Sequence, residues 1–462
     1  MKMAPGTTGT TTTATTAASR PATAAPGPAT TAPAQSPGTP PTIPAKAQSR
    51  RRTLIGTGIG NALEWYDWNV YAAFTVFIAA QLFDNKNPAS AVLATLAIFA
   101  VGFVARPFGG FLFGWIADRK GRKFSLMLSV GLASGGSLMI ALTPSFGTAG
   151  VVSSLMLLAA RLIQGLAHGG EMPSAQTYLS EAAPRERRGL WSSWIYVSGT
   201  CGILSGLLLG AVLNSTLSKA AMDAYGWRIP FLVGAALGVF ALYMRRGMEE
   251  SEVFTADKAP RQPLWPQIFK HRKAAGQVIG MTLGMTVAYY AWAVNAPAYA
   301  ASVLHIDRGQ ALWAGVVGNL VFMAALPFWG WLSDRIGRKP VMLFTTIGSA
   351  VLFFPMNAIL KDSAWQLGLT LCIMLFVMAA FSAIGPAVYA ELFPTRIRAI
   401  GVGVPYSICI ALFGGTAPYL QAWMATSFGP STAFPIYAIV LLTISTLVVL
   451  TLPETKGKDL RG

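Results

Sequence analysis

Gly114-Trp115-Ile116-Ala117-Asp118-Arg119-Lys120-Gly121-Arg122-Lys123 recurs as Gly330-Trp331-Leu332-Ser333-Asp334-Arg335-Ile336-Gly337-Arg338-Lys339. Each copy follows one long apolar run and precedes another. A second pair keeps step with it: Tyr178-Leu179-Ser180-Glu181 with Pro184 and Arg188 returns as Tyr389-Ala390-Glu391 with Pro394 and Arg398. Both offsets are close to half of the apolar part of the chain. A repeat of that length, in register with the apolar runs, predicts two parallel six-helix bundles related by an axis along a membrane normal.

Working outward, composition agrees. Of 462 residues, 53% are hydrophobic and 11% charged, against about 25% charged in ordinary soluble domains. The apolar residues come in unbroken runs such as Phe124 to Ala141 and Ala433 to Leu452, as helices surrounded by lipid require. Twelve runs fall at roughly 53–82, 90–116, 124–143, 151–179, 189–213, 228–245, 274–300, 309–332, 340–360, 365–390, 398–421 and 431–452, each near the ~20 residues that cross a bilayer. The expected fold is an all-α membrane protein of twelve transmembrane helices in two pseudo-symmetric six-helix bundles. The expected division is a disordered tail over 1–49, an N-terminal half over 50–245, a linker over 246–273, a C-terminal half over 274–452 and a short tail over 453–462. Residues 1–49 are Thr, Ala, Pro and Gly with almost nothing large and apolar to offset ordering entropy.

The net charge of +17 points to nucleic acid only if its distribution is ignored. Basic clusters at Arg50–Arg52, Arg119–Lys123, Arg185–Arg188, Arg245–Lys273, Arg335–Lys339, Arg396/Arg398 and Lys456–Arg461 occupy every second loop. That is the positive-inside pattern, which places both termini in the cytoplasm and excludes a nucleic-acid face. Cys201, Cys372 and Cys409 lie inside apolar runs without ligand spacing, so neither a disulfide framework nor a metal site is expected. No nucleophile–base set or phosphate loop marks an enzyme.

The doubled loop reads as a latch between the halves. Gly permits close approach of a neighbouring helix, and Asp can cap a helix start or pair with an Arg across the seam, in contacts that form in one rocking state and break in the other. The expected gate residues are Gly114, Asp118, Arg119, Gly121 and Arg122 with Glu181, and Gly330, Asp334, Arg335, Gly337 and Arg338 with Glu391.

Ionisable side chains inside a membrane are expensive and mark function by default. Here they are Glu64, Asp67, Arg106, Arg161, His168 and Glu171, all in the first half. At 1.5 Å per residue, Glu64 and Arg106 lie roughly 18 Å from the basic edge, His168 about 20 Å and Glu171 about 15 Å, near the middle of a ~30 Å core. Glu64, Asp67 and Tyr71 share one helix face, as do Arg161, Gln164 and His168. Arg106 is the expected anion anchor, because it forks two hydrogen bonds onto a carboxylate and keeps its charge; the alternative is that it pairs permanently with Glu64 or Glu171. Arg161, Tyr71, Gln164, Tyr290 and Asn319 are expected beside the substrate, and Glu64, Asp67, His168 and Glu171 as proton carriers, with no cofactor beyond the coupling proton.

With Arg161-Leu162-Ile163-Gln164-Gly165 and Leu452-Pro453-Glu454-Thr455, the doubled loop resembles the major facilitator superfamily. Gly60-Asn61-Ala62-Leu63-Glu64-Trp65-Tyr66-Asp67, Arg106-Pro107-Phe108-Gly109-Gly110, Gly169-Gly170-Glu171, Gly226-Trp227-Arg228-Ile229-Pro230-Phe231 and Glu391-Leu392-Phe393-Pro394 resemble its metabolite:proton symporter family, nearest to the 2-oxoglutarate permease type. The resemblance implies the major facilitator fold, a bacterial cytoplasmic membrane, a monomer, and proton-coupled uptake of a small carboxylate such as a di- or tricarboxylate. Proline/betaine-type zwitterion uptake is the alternative, ahead of drug efflux. No heptad extension is expected after the last span, a departure from the osmosensing proline/betaine member of the family. Met172-Pro173-Ser174-Ala175-Gln176 departs from the family's usual pattern.

Overall fold

A computed structural model describes residues 45–84, 86–120, 122–169, 179–180, 183–246, 271–394 and 397–460. Gly121, Glu171 and Glu181 lie outside them, as do the side chains of Asp118 and Arg122 and nearly all of the tail and linker expected at 1–49 and 246–273.

Apolar runs become helices because a backbone in lipid must satisfy its own hydrogen bonds. The described residues contain no strand. Nine helices among them are long and apolar enough to cross a membrane: Pro88–Ile116, Phe124–Leu142, Arg185–Thr216, Gly226–Tyr243, Arg308–Ile336, Arg338–Ile359, Ala364–Leu392, Gly401–Phe428 and Ala433–Thr451. Of the other three expected spans, the first and seventh are interrupted, and the fourth is described only in part. The first comprises α1 (Ala45–Ala73) and α2 (Thr75–Leu82), parted at Phe74. The fourth begins as Val151–Ala167. The seventh runs from Arg272–Tyr289 through a π turn at Tyr290–Val294 into Ala296–Ser302. A second π turn, Ile410–Gly414, interrupts the eleventh span.

Exposure is inverted relative to a soluble protein. Phe108, Trp115, Val151, Val239, Phe240, Val351 and Leu447 are exposed, whereas Glu64, Arg161, Arg188, Arg338 and Glu391 are buried. Apolar faces of this kind need lipid as solvent, with ionisable groups turned inward.

Small residues set the helix crossings that carry the charged layer. A Cβ on Gly109 would collide with the Leu166 carbonyl, one on Gly165 with the Gly102 carbonyl, and one on Gly169 with the Arg106 carbonyl. The second and fourth spans therefore pack backbone to backbone, which places Arg106 beside the turn that carries His168. Between the halves, the fifth span packs along the eighth and the second against the eleventh. At the end of the bundle opposite the basic loops, Arg308 pairs with Asp223 at 3.3 Å and lies over the Phe77 ring at 4.6 Å, joining the halves there too.

Candidate functional site

Glu64 and Arg106 form a buried ion pair, Nη2 to Oε1 at 2.7 Å, with side chains 2% and 11% exposed. The guanidinium lies 4.4 Å from the Trp68 ring and 4.5 Å from the Phe103 ring. A cation taken out of water needs such partners.

Arg161 is solved differently. It is fully buried, and no carboxylate lies within ion-pair distance of it among the described residues. It lies over Tyr71 at 3.7 Å and Trp68 at 4.7 Å. Its Nη1 donates to Gln164 Oε1 at 2.6 Å, Gln164 Nε2 donates to Ser137 Oγ at 2.8 Å, and Ser137 donates to Asp67 Oδ1 at 2.9 Å. Every donor in this relay points toward Asp67, so the Arg161 charge reaches a carboxylate through two neutral side chains. His168 Nε2 stands 3.8 Å from the other Asp67 oxygen. Trp68 touches both cations and joins the two groups.

Two cavities flank α1. One, about 20 Å³, is lined by Glu64, Asp67, His168, Ser134 and glycines of the sixth span, with room for about one water. The other, also about 20 Å³, lies between the halves and is walled by Trp65, Tyr196, Tyr289, Tyr290, Tyr389 and Tyr406, with Thr282, Thr286 and Ser382 as further polar groups. Glu64 faces the first cavity and Trp65, its neighbour in sequence, faces the second. Among the described residues the halves meet at both ends of the bundle, so the described conformation is a closed one.

Not all expected site residues reach a cavity. Tyr290 lines the central one. Tyr71 donates its hydroxyl to the Thr95 carbonyl at 2.9 Å and serves as the platform for Arg161. Gln164 is a link in the relay. Asn319 donates to the Gly315 and Ala293 carbonyls at 3.0 and 3.4 Å, tying the eighth span to the π turn. None of these three lines either cavity. Ser137, Trp65, Trp68, Tyr196, Tyr389 and Tyr406 were not singled out from sequence. Three of them carry a repeat signal there: Tyr389 stands in the doubled motif with Tyr178, and Tyr196 and Tyr406 lie 210 positions apart, the offset of Arg188 and Arg398.

The basic end is closed by the second copy of the repeated loop. Asp334 accepts the backbone N–H groups of Gly189 and Leu190 at 2.8 and 2.9 Å. A C-half carboxylate thus caps an N-half helix, where orphan donors and the helix dipole favour it. Arg338 pairs with Asp334 at 2.7 Å and stands 3.7 Å from Glu391. Glu391 pairs with Arg188 of the N-half at 2.7 Å and accepts from Thr455 at 2.6 Å. Gly330 packs so tightly on Gly189 that a Cβ would meet its carbonyl at 2.7 Å. At the first copy, no atom of the described residues lies within 4 Å of a Cβ on Gly114. Among the described residues, Arg119 and Arg335 pair with no carboxylate. They lie over Trp115 and Trp331 at 4.2 and 4.1 Å, one turn earlier on the same face.

Glu454 clamps the C-terminal segment onto this end. It accepts backbone N–H groups of Arg338, Lys339 and Lys456 at 2.8, 3.0 and 2.9 Å, and Gly337 (φ 107°) leaves the space its carboxylate fills. Burial pushes the carboxyl up, but backbone N–H groups of Arg338, Lys456, Lys339 and Thr455 outweigh it and hold it below its ordinary value. A depressed carboxyl contributes stability above its unfolded value, lost as pH falls through the folded one. Acidification below about pH 4.5 is therefore expected to loosen residues 453–460. Glu454→Gln should remove that acid-dependent step in hydrogen exchange of the segment; an unchanged step in the variant would assign it to another group.

A twelve-helix bundle with paired charges at its centre and a capped seam at its end is a multi-pass membrane transporter. The description "Sugar (and other) transporter" matches residues 54–263 and "Major Facilitator Superfamily" matches residues 281–462. Alpha-ketoglutarate permease of Escherichia coli is 36% identical over 90% of this chain and 96% of its own. A putative proline/betaine transporter of Staphylococcus aureus is 33% identical over 90% and 91%. The xylose transporter XylE from E. coli, in a partially occluded inward-open conformation, superposes with a TM-score of 0.71 at 17% identity, covering 88% of this chain and 98% of that one. The chain belongs to the major facilitator superfamily.

Proposed function

We propose that this protein is a proton symporter for a small carboxylate metabolite, a di- or tricarboxylate of the 2-oxoglutarate kind, acting as a monomer in a bacterial cytoplasmic membrane with its basic end and both termini in the cytoplasm. The observation that carries the reading is the Glu64–Arg106 pair, packed through Phe103 and Trp65 against the Tyr290 wall of the central cavity, with ring centroids at 5.3 and 6.4 Å. While Glu64 is ionised it occupies Arg106. A proton on Glu64 cancels that claim, and the guanidinium is released to fork onto a substrate carboxylate. Proton and anion then bind together because one guanidinium serves either carboxylate. The small polar pocket at Asp67 and His168 offers the proton a route to Glu64 from the side of α1 away from the substrate. Rocking of the halves opens the Asp334–Glu391 latch and delivers both. The E. coli relative's name supports the substrate class.

The aromatic wall favours a second reading. Rings of Trp65, Tyr289 and Tyr290 suit a quaternary ammonium, and a betaine would place its carboxylate on Arg106. The deciding experiment is uptake into proteoliposomes against labelled dicarboxylates and betaines. We expect dicarboxylate accumulation that rises with an inward proton gradient and collapses with a protonophore. Betaine accumulation without dicarboxylate accumulation would install the second reading instead.

A further inference from the structure

We infer that Tyr196 and Tyr406 form a subsite for the second carboxylate of a dicarboxylate, built on the axis that relates the two halves. The inference rests on the carboxylate reading above and extends it from one anchor to two. The two hydroxyls stand 3.5 Å apart, 210 positions apart in sequence, and Arg188 and Arg398 fix that number as the repeat offset over this stretch. A side chain that meets its own repeat mate lies on the pseudo-two-fold axis. The subsite is therefore contributed equally by both halves, and a ligand held there bridges them.

The chemistry suits an anion. A hydroxyl pair makes its best bond at 2.5–3.0 Å, so 3.5 Å is a loose contact. Within it one hydroxyl donates and the other accepts. A carboxylate seated between them accepts from both, in charge-assisted bonds about twice as strong as neutral ones. No Asp or Glu lines the central cavity among the described residues, so nothing there repels a second negative charge. The rings are already braced: Tyr196 by Trp65 and Tyr289 at 6.4 and 6.2 Å, Tyr406 by Tyr389 at 5.7 Å. The Tyr389 hydroxyl is itself fastened to Thr282 at 2.9 Å. Preorganised donors lose little entropy on binding.

Depth gives the spacing. Tyr196 lies eight residues past Arg188, about 12 Å from the basic edge, and the Glu64–Arg106 layer lies about 18 Å from it. The difference of roughly 6 Å along the normal matches a four- or five-carbon chain with a carboxylate at each end.

The test measures uptake of a five-carbon dicarboxylate and of its one-carboxylate analogue by wild type, Tyr196→Phe, Tyr406→Phe and the double variant in proteoliposomes. Phenylalanine keeps both rings, so packing survives. Each single variant is expected to lower the ratio of dicarboxylate to monocarboxylate kcat/KM by about tenfold, mainly through KM, and the double variant by less than the product of the two, since the pair acts on one group. An unchanged ratio, whether both substrates keep their rates or lose equally, overturns the subsite. A wild type that carries neither carboxylate overturns the carboxylate reading itself and the subsite with it, an outcome distinct from an unchanged ratio.

Discussion

Replacing Arg106 with lysine is expected to lower carboxylate uptake by about a hundredfold while leaving the protein folded. Truncating or blunting one partner of a buried, hydrogen-bonded charge pair costs about 2–5 kcal/mol, and 2.7 kcal/mol is a factor of about 100. Lysine keeps the charge, so Glu64 is not left facing nothing. It presents a single ammonium in place of a planar fork, and it lies less well over Trp68 and Phe103. The loss should therefore appear in substrate affinity before it appears in thermal stability. Glu64→Gln separates the two halves of the proposal. The amide cannot take up a proton, so the remaining uptake should become insensitive to the imposed pH gradient while exchange of substrate across the membrane persists. Arg106→Lys transporting at the wild-type rate would sink the anchor role. Glu64→Gln responding normally to the gradient would move the proton to Asp67 or His168.

The second large effect is at the seam. Asp334→Ala removes two charge-assisted bonds to the Gly189 and Leu190 N–H groups and the Arg338 pair. At about 1.5–3 kcal/mol for each charged hydrogen bond, the closed basic end loses about 3 kcal/mol or more, roughly two decades in the balance between closed and open forms. A cysteine placed at Ser382, on the wall of the central cavity, reports it. Modification by an impermeant thiol reagent from the basic side should accelerate at least tenfold in Asp334→Ala, while a proton gradient drives less accumulation. Equal modification rates with and without the substitution would show that the cap does not hold the gate.

Much of this architecture is legible in the chain because lipid writes it in long apolar runs and alternating basic loops. The charged layer is legible for the same reason: Glu64, Arg106 and Arg161 each break a run that has no structural use for charge. What each charge meets is not. Arg161 reaches Asp67 through Ser137, and a serine in an apolar helix is too ordinary to stand out. Asp334 bonds to main-chain N–H groups of another helix, which have no letter in the sequence. The central cavity is hidden because its walls are tyrosine and tryptophan, residue types equally at home facing lipid. Tyr71 and Asn319 look like cavity polar groups by spacing, but their hydrogen bonds go to backbone carbonyls, so they brace the site from behind. In the second copy of the doubled loop, the letters do not show that Gly330 is pressed against the Gly189 carbonyl, a contact between the halves.

The two π turns bear on how the half that lacks the Glu64–Arg106 layer takes part in transport. Each closes a five-residue loop, Asn295 N–H to the Tyr290 carbonyl and Gly415 N–H to the Ile410 carbonyl, both at 2.9 Å. One surplus residue advances everything beyond it by about 100° around the helix axis. The end of the seventh span nearer the basic loops can thus keep Tyr289 and Tyr290 turned to the central cavity while its far end, indexed independently, beds Pro297 against Gly315 of the eighth. The two ends of one rod obey different neighbours, and the phase slip between them sits at the level of the central cavity.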